Sequence, residues 1–153
     1  MGERINVHAT AVVVGKAGLL FIGPSGIGKS TLALQCLATA RRAGWNASLV
    51  ADDQVFVTHR GGKLFASRPH SIAGLLEIRG SGIATVPSVA EAALDLAVLV
   101  VEPLTAERLP PAGETWHIGE IGSLPQIRLL NNHPEPLAVI AALCPDLGIP
   151  TTL

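Results

Sequence analysis

The sequence predicts an α/β fold, a single domain over residues 1–153 with a mixed central sheet, and three observations predict it. A β-rich run at residues 19–22 leads straight into Gly23-Pro24-Ser25-Gly26-Ile27-Gly28, and a helical pattern follows at once. Residues 94–101 are apolar without alternation, as in strands buried on both faces. Two further stretches are β-rich and interrupted by glycines, which reads as hairpins. A chain of 153 residues is long enough for one core.

In order along the chain, residues 7–14 form the first β-rich run. Gly15-Lys16-Ala17-Gly18 breaks it and residues 19–22 resume it, giving a hairpin. After the glycines, apolar Leu32, Leu34, Cys36, Leu37 and Ala40 mark a helix over residues 29–44. Arg41 and Arg42 suit its negative end, and Gly44 its C-cap. Residues 47–51 form a strand that ends in Asp52-Asp53, and residues 55–58 and 64–66 form a second hairpin across Gly61-Gly62. Residues 68–82 read as loop, 94–101 as a buried strand, and 109–122 as Pro- and Gly-rich. A last strand at 126–130 and a closing helix at 137–143 complete the chain, without repeats or a linker.

Composition excludes several classes of function. Hydrophobic residues make up 48% and charged residues 15%, which excludes a disordered or solvating chain. Aromatic residues are 3% with no Tyr, so the core is aliphatic and no platform exists for stacking single-stranded bases. A net charge of −1 offers no basic field for nucleic acid. No apolar run reaches a membrane span, and Met1-Gly2 lacks a Ser or Thr at position 6 for acylation. Cys36 and Cys144 have no metal-ligand spacing and read as reduced thiols, so the expectation is a cytoplasmic protein bound to neither membrane nor nucleic acid.

Gly23-Pro24-Ser25-Gly26-Ile27-Gly28-Lys29-Ser30 matches the P-loop pattern in full. Glycines let backbone N–H groups curl round a phosphate, and the following helix adds its positive end. Lys29 is expected on the β- and γ-phosphates of ATP and Ser30 on Mg²⁺, with Thr31 beside them. The loop does not name the reaction. Asp52 and Asp53 end the next strand, where one carboxylate can join the metal shell and the other accept a proton from an attacking hydroxyl. Glu102, at the end of the buried run, competes as the acid that orients water in a generic ATPase.

These residues resemble the C-terminal catalytic domain of the HPr kinase/phosphorylase family. The resemblance rests on His8, the Gly23 to Ser30 loop, Leu49-Val50-Ala51-Asp52-Asp53, and Leu76-Glu77-Ile78-Arg79-Gly80-Ser81-Gly82-Ile83. It is firm over residues 8–101 and weak beyond. It implies a P-loop kinase-like domain that uses ATP and Mg²⁺ to phosphorylate a serine of the phosphocarrier HPr, with reverse phosphorolysis, in a homo-oligomer that is typically a hexamer. Carried over, Asp53 would be the base, Lys29 would hold the phosphates, Ser30 and Glu77 the Mg²⁺, His8 would sit beside the transferred group, and Arg108 would be the late catalytic arginine. On the residues alone, a lone His on an apolar strand reads as structural, so both readings of His8 stand. A P-loop kinase or nucleotide-binding regulatory module for another protein or a small molecule is the alternative.

Three departures from the family pattern stand out. Its N-terminal regulatory domain is absent here, which suggests a minimal form. Thr31 stands where Glu is usual. Its arginine-rich stretch before the last helix is replaced by Asn131-Asn132-His133-Pro134-Glu135-Pro136, with Arg128 the nearest substitute. That predicts weak phosphorolysis, since bringing a second phosphate beside a phosphoserine demands extra positive charge.

Overall fold

The computed structural model describes residues 3–149, and the Met1-Gly2 pair lies outside the described residues. A central six-stranded mixed sheet carries the architecture. Its members are β2 (Thr10–Val14), β3 (Ala17–Ile22), β4 (Ala47–Asp52), β10 (Leu96–Val101), β11 (Thr115–Ile118) and β12 (Gly122–Leu130), in the order β11-β12-β10-β3-β2-β4. Strands β3, β10 and β12 are mutually parallel, and β4 shares their direction because both it and β3 pair antiparallel with β2. The C-terminal ends of four strands therefore open on one edge, where open α/β sheets bind ligands.

Alternation along β3 explains why its run is apolar throughout. Leu19 and Phe21 face the core shared with helix α1 (Lys29–Arg42) and helix α2 (Pro136–Leu143), with Leu32, Cys36, Leu37 and Ile140. Leu20 and Ile22 face a second core, shared with Val55, Val57, Leu64 and Ala66. Those residues belong to an antiparallel sheet of β1 (Arg4–Val7), β5 (Val55–Arg60), β6 (Lys63–Ser67) and β9 (Glu91–Ala93), ordered β1-β5-β6-β9. The mixed sheet is thus covered by helices on one face and by strands on the other.

Helix α1 begins and ends on glycines with different jobs. Gly28 at its start has φ 118, no side chain caps it, and no acidic residue occupies its first turn. Its end is a Schellman motif: Gly44 (φ +83) donates N–H to the Arg41 carbonyl at 3.0 Å and Trp45 to that of Ala40 at 2.9 Å.

The hairpins expected within residues 7–22 and 55–66 are present as β2 with β3 and β5 with β6. Residues 68–82 are not a loop: a short 3-10 turn (His70–Ile72) precedes a hairpin of β7 (Leu75–Ile78) and β8 (Gly82–Thr85). Gly80 and Gly82 disguised it, because they supply its turn and the start of its second strand instead of interrupting a chain without structure. Likewise β11 pairs with β12 inside the Pro- and Gly-rich stretch, and β12 starts at Gly122, ahead of the expected residue 126. The expected single β-rich run from residue 7 to 14 is divided between two sheets, with β1 ending at Val7 and β2 starting at Thr10.

Candidate functional site

That division builds the site. Both β1–β2 and β4–β5 pass from one sheet to the other through two-residue steps, and the steps lie side by side, since Val7 pairs with Val55 and Thr10 with Asp52. His8 and Asp53 occupy those steps and meet, His8 Nε2 to Asp53 Oδ1 at 2.5 Å. Asp53 has φ 73, the one positive value at a non-glycine residue among the described residues. Such a conformation is uncommon and gathers at functional sites. Both side chains are substantially exposed, 46% for His8 and 68% for Asp53, so the pair is open to a reactant.

Asp52 points the other way along the extended strand and is 6% exposed. Its Oδ1 accepts hydrogen bonds from Thr10 Oγ1 at 2.8 Å and Ser30 Oγ at 2.6 Å. Its Oδ2 accepts the backbone N–H of Glu77 at 3.1 Å. A buried carboxylate needs such partners, and these three tie β2, α1 and the β7–β8 hairpin to one point. The exposed Glu77 side chain lines the same cleft.

The glycine loop lies between β3 and α1. Lys29 is buried, and its Nζ donates to the carbonyls of Gly23 and Pro24, each at 2.9 Å. Burial lowers its pKa from the ordinary lysine value, and the carboxylates of Asp53 and then Asp52 act in the opposite direction. Ser25, Gly26, Gly28, Ser30 and Thr31 line the cleft, with Thr31 exposed. The Ile27 carbonyl accepts from Asn131 Nδ2 at 2.9 Å, so the end of β12 holds the loop in place.

The structure therefore brings His8, Lys29, Ser30, Thr31, Asp52, Asp53 and Glu77 to one cleft at the C-terminal edge of the sheet. It does not bring Arg108 there. Arg108 lines a second cleft with Val101, Pro103 and Leu130. The exposed Glu102 is not among the residues lining the first cleft either. Arg128 is committed elsewhere, donating from Nε and Nη2 to Glu114, both at 2.7 Å, and from Nη1 to Glu107 at 3.1 Å. The hydrogen bond from Arg128 holds the Glu114 carboxyl below its usual range.

Three residues escaped the sequence reading: Arg79, Asn131, and Thr10, which lines the cleft and donates to Asp52. Arg79 lines the cleft with its guanidinium against Gly26, where a Cβ would stand 3.1 Å from Nη2. It was visible as the cation in Leu-Glu-Ile-Arg. Asn131 lies in the stretch that reads as divergent, and no local signal tied it to a loop 104 residues away.

The cleft's oxygen donors suit a hard cation. Asp52 fixes the Ser30 hydroxyl as a donor toward itself, which leaves the Ser30 oxygen lone pairs for a metal, and Glu77 adds a carboxylate. Among the described residues no three His, Cys, Asp or Glu side chains form a cage.

Fold and site together define a class: an α/β protein with a glycine loop between strand and helix, whose lysine shares a cleft with the carboxylates at the end of a strand two places along the sheet. Within that class the chain belongs to the HPr Serine kinase C-terminal domain family, whose sequence model matches residues 1–93. It is 37% identical over 87 residues to the HPr kinase/phosphorylase of Mycoplasmopsis pulmonis, covering 57% of this chain and 26% of that protein. It is 41% identical over 88 residues to that of Clostridium tetani, covering 58% and 27%. The chain thus spans about a quarter of the length of the curated relatives it matches. The solved structure of the Hpr(Ser) kinase/phosphatase from Coxiella burnetii is similar over 93% of this chain and 95% of its own, with a TM-score of 0.73 and 27% identity. Among the described residues no helix is long and apolar enough to cross a membrane.

Proposed function

We propose that this chain is a cytoplasmic phosphotransferase that moves the γ-phosphoryl group of ATP to a serine of an HPr-like phosphocarrier protein, with Mg²⁺. The observation that carries the reading is the exposed His8–Asp53 pair, held beside the uncapped start of α1 and Lys29.

The unpaired N–H groups at the start of α1 and the glycine loop bind phosphate. Lys29 turns from the carbonyls of Gly23 and Pro24 to the phosphate oxygens, which regain for it the charge balance that burial withholds. Ser30 and Glu77 hold Mg²⁺, with Asp52 orienting the Ser30 hydroxyl. When bound, the ion neutralises charge on the transferring group. Asp53 accepts the proton of the acceptor serine as its oxygen forms the new bond to phosphorus and the bond to the leaving ADP breaks. His8 orients Asp53 through their hydrogen bond and keeps its carboxylate toward the acceptor. In the reverse direction Asp53 returns the proton. Arg128 is bound to Glu114 and Glu107 and so does not replace the family's arginine-rich stretch, which leaves Arg79 as the arginine lining the phosphate cleft and supports a forward reaction stronger than phosphorolysis. We propose one folded domain, assembled as a homo-oligomer, the hexamer being the family's form.

Calorimetric titration with Mg-ATP tests the nucleotide site. Wild type binds, and Lys29→Ala loses most of its affinity while remaining folded; equal affinity in the two proteins contradicts the reading.

A further inference from the structure

The glycine loop is seated at both ends on strand β10. At its start a Cβ on Gly23 would stand 3.2 Å from the Val100 carbonyl oxygen, so the chain lies close against the strand. At its far end the seat is indirect. Asn131, the residue after β12, donates its backbone N–H to the Val101 carbonyl at 2.9 Å and its Nδ2 to the Ile27 carbonyl at 2.9 Å. We propose that Asn131 is a positioning residue for phosphoryl transfer, one that sets the phosphate affinity of the loop by fixing the Ile27–Gly28 peptide. The inference rests on the phosphoryl-transfer reading above.

The geometry of that one peptide carries the argument. No peptide bond is cis among the described residues, and in a planar trans peptide the C=O and the N–H point in opposite directions. The Ile27 carbonyl is turned to Asn131, so the Gly28 N–H is turned away from it. Gly28 and Lys29 line the cleft, whereas Ile27 and Asn131 do not. The N–H is therefore aimed into the cleft at the positive end of α1, where a phosphate is bound.

Little else in the loop fixes this peptide. Gly26 and Gly28, at φ 80 and φ 118, have a conformational freedom that other residues lack, so the peptide between Ile27 and Gly28 can turn over at small cost. The Ile27 side chain packs on the helical core, but that contact leaves its carbonyl free to rotate. The bond from Asn131 penalises the turned-over form, which would leave the amide without its acceptor. Removing the donor divides the loop between two arrangements, and apparent affinity falls with the fraction that presents the N–H. Asn suits the task because its amide donates to a carbonyl, whereas an aspartate of the same shape would set an acceptor against it. Asn131 lies beyond residue 93, where the family match ends, so this strut comes from the part of the chain outside that match.

Calorimetric titration of the full chain with Mg-ATP and with Mg-tripolyphosphate tests the proposal, in wild type, Asn131→Ala and Asn131→Gln. Asn131→Ala should bind both ligands about five- to tenfold more weakly, by the same factor, because the loss lies at the phosphates. Asn131→Gln keeps an amide donor and should recover most of that affinity. A role in packing alone would lower the melting temperature and leave the affinity of the folded chain unchanged. Circular dichroism at the titration temperature reports folding, and if Asn131→Ala misfolds, Asn131→Asp decides, with a loss at least as large expected. Wild-type affinity in Asn131→Ala or Asn131→Asp, a loss confined to one ligand, or Asn131→Gln as weak as Asn131→Ala overturns the proposal. Failure of wild type to bind either ligand overturns instead the phosphate-site reading, and the proposal with it.

Discussion

At the scale of the residue, two adjacent aspartates have different environments and so different expected roles. Asp53 is exposed, paired with His8, and held at φ 73. Asp52 is buried and accepts three hydrogen bonds. Asp53→Asn should keep Mg-ATP affinity and thermal stability but lose phosphoryl transfer by about 10² or more, the scale of a general base. Asp52→Asn should instead lower stability by about 1–2 kcal/mol, because an amide whose oxygen stays on the Thr10 and Ser30 hydroxyls sets its NH2 donor against the Glu77 backbone N–H. Melting curves and single-turnover transfer separate the two: loss of stability in Asp53→Asn, or full transfer by it, contradicts the assignment. Glu77→Gln should raise the Mg²⁺ concentration needed for activity, since a neutral amide replaces a carboxylate; a titration curve that overlays wild type would remove Glu77 from the metal shell. Lys29 and the Asp pair were legible because their motifs are local. The contact of His8 with Asp53 was not legible from the residues alone, since it depends on two chain crossings 45 residues apart.

At the scale of the element, the strands could be read where both faces are buried, as in β3 and β10, or where a glycine pair marks a turn, as in β5–β6. The β7–β8 hairpin could not, because four-residue strands next to three positive-φ glycines, Gly74, Gly80 and Gly82, carry the signature of a loop. Gly18 looked like part of a turn, yet it lies inside β3 at a close approach to β9: a Cβ there would stand 1.8 Å from the Ala93 carbonyl oxygen. Gly18→Ala should therefore destabilise by about 1–3 kcal/mol, because the obstacle is backbone and cannot swing aside. A melting temperature within error of wild type would show that the two sheets slide freely. Burial in the face of α1 also pushes the Cys36 thiol up to about 12, so it stays protonated at neutral pH. An alkylating reagent at pH 8 should label Cys144 first and reach Cys36 when the chain unfolds; equal native rates would contradict the packing of α1 on the sheet.

At the scale of the whole molecule, two sheets share the chain crossings that carry His8 and Asp53, and the helical layer delivers Lys29 and Ser30 to the same edge. Composition forecast the aliphatic core, and the run at residues 94–101 forecast a strand covered on both sides. What covers it was hidden, because an antiparallel sheet and a helix layer each demand apolar residues on the face they cover and together leave one continuous apolar run. The placement of Arg108 was hidden for a related reason: its position depends on how residues 102–114 return to β11, and no motif marks that path. The central claim is transfer of phosphate to a serine of HPr, and intact-mass measurement of purified HPr after incubation with this chain, ATP and Mg²⁺ tests it most directly. The account predicts a gain of one phosphate, mapped to a serine, with wild type and none with Lys29→Ala. Unmodified HPr in the presence of a chain that binds Mg-ATP would contradict it and leave a nucleotide-binding module that acts elsewhere.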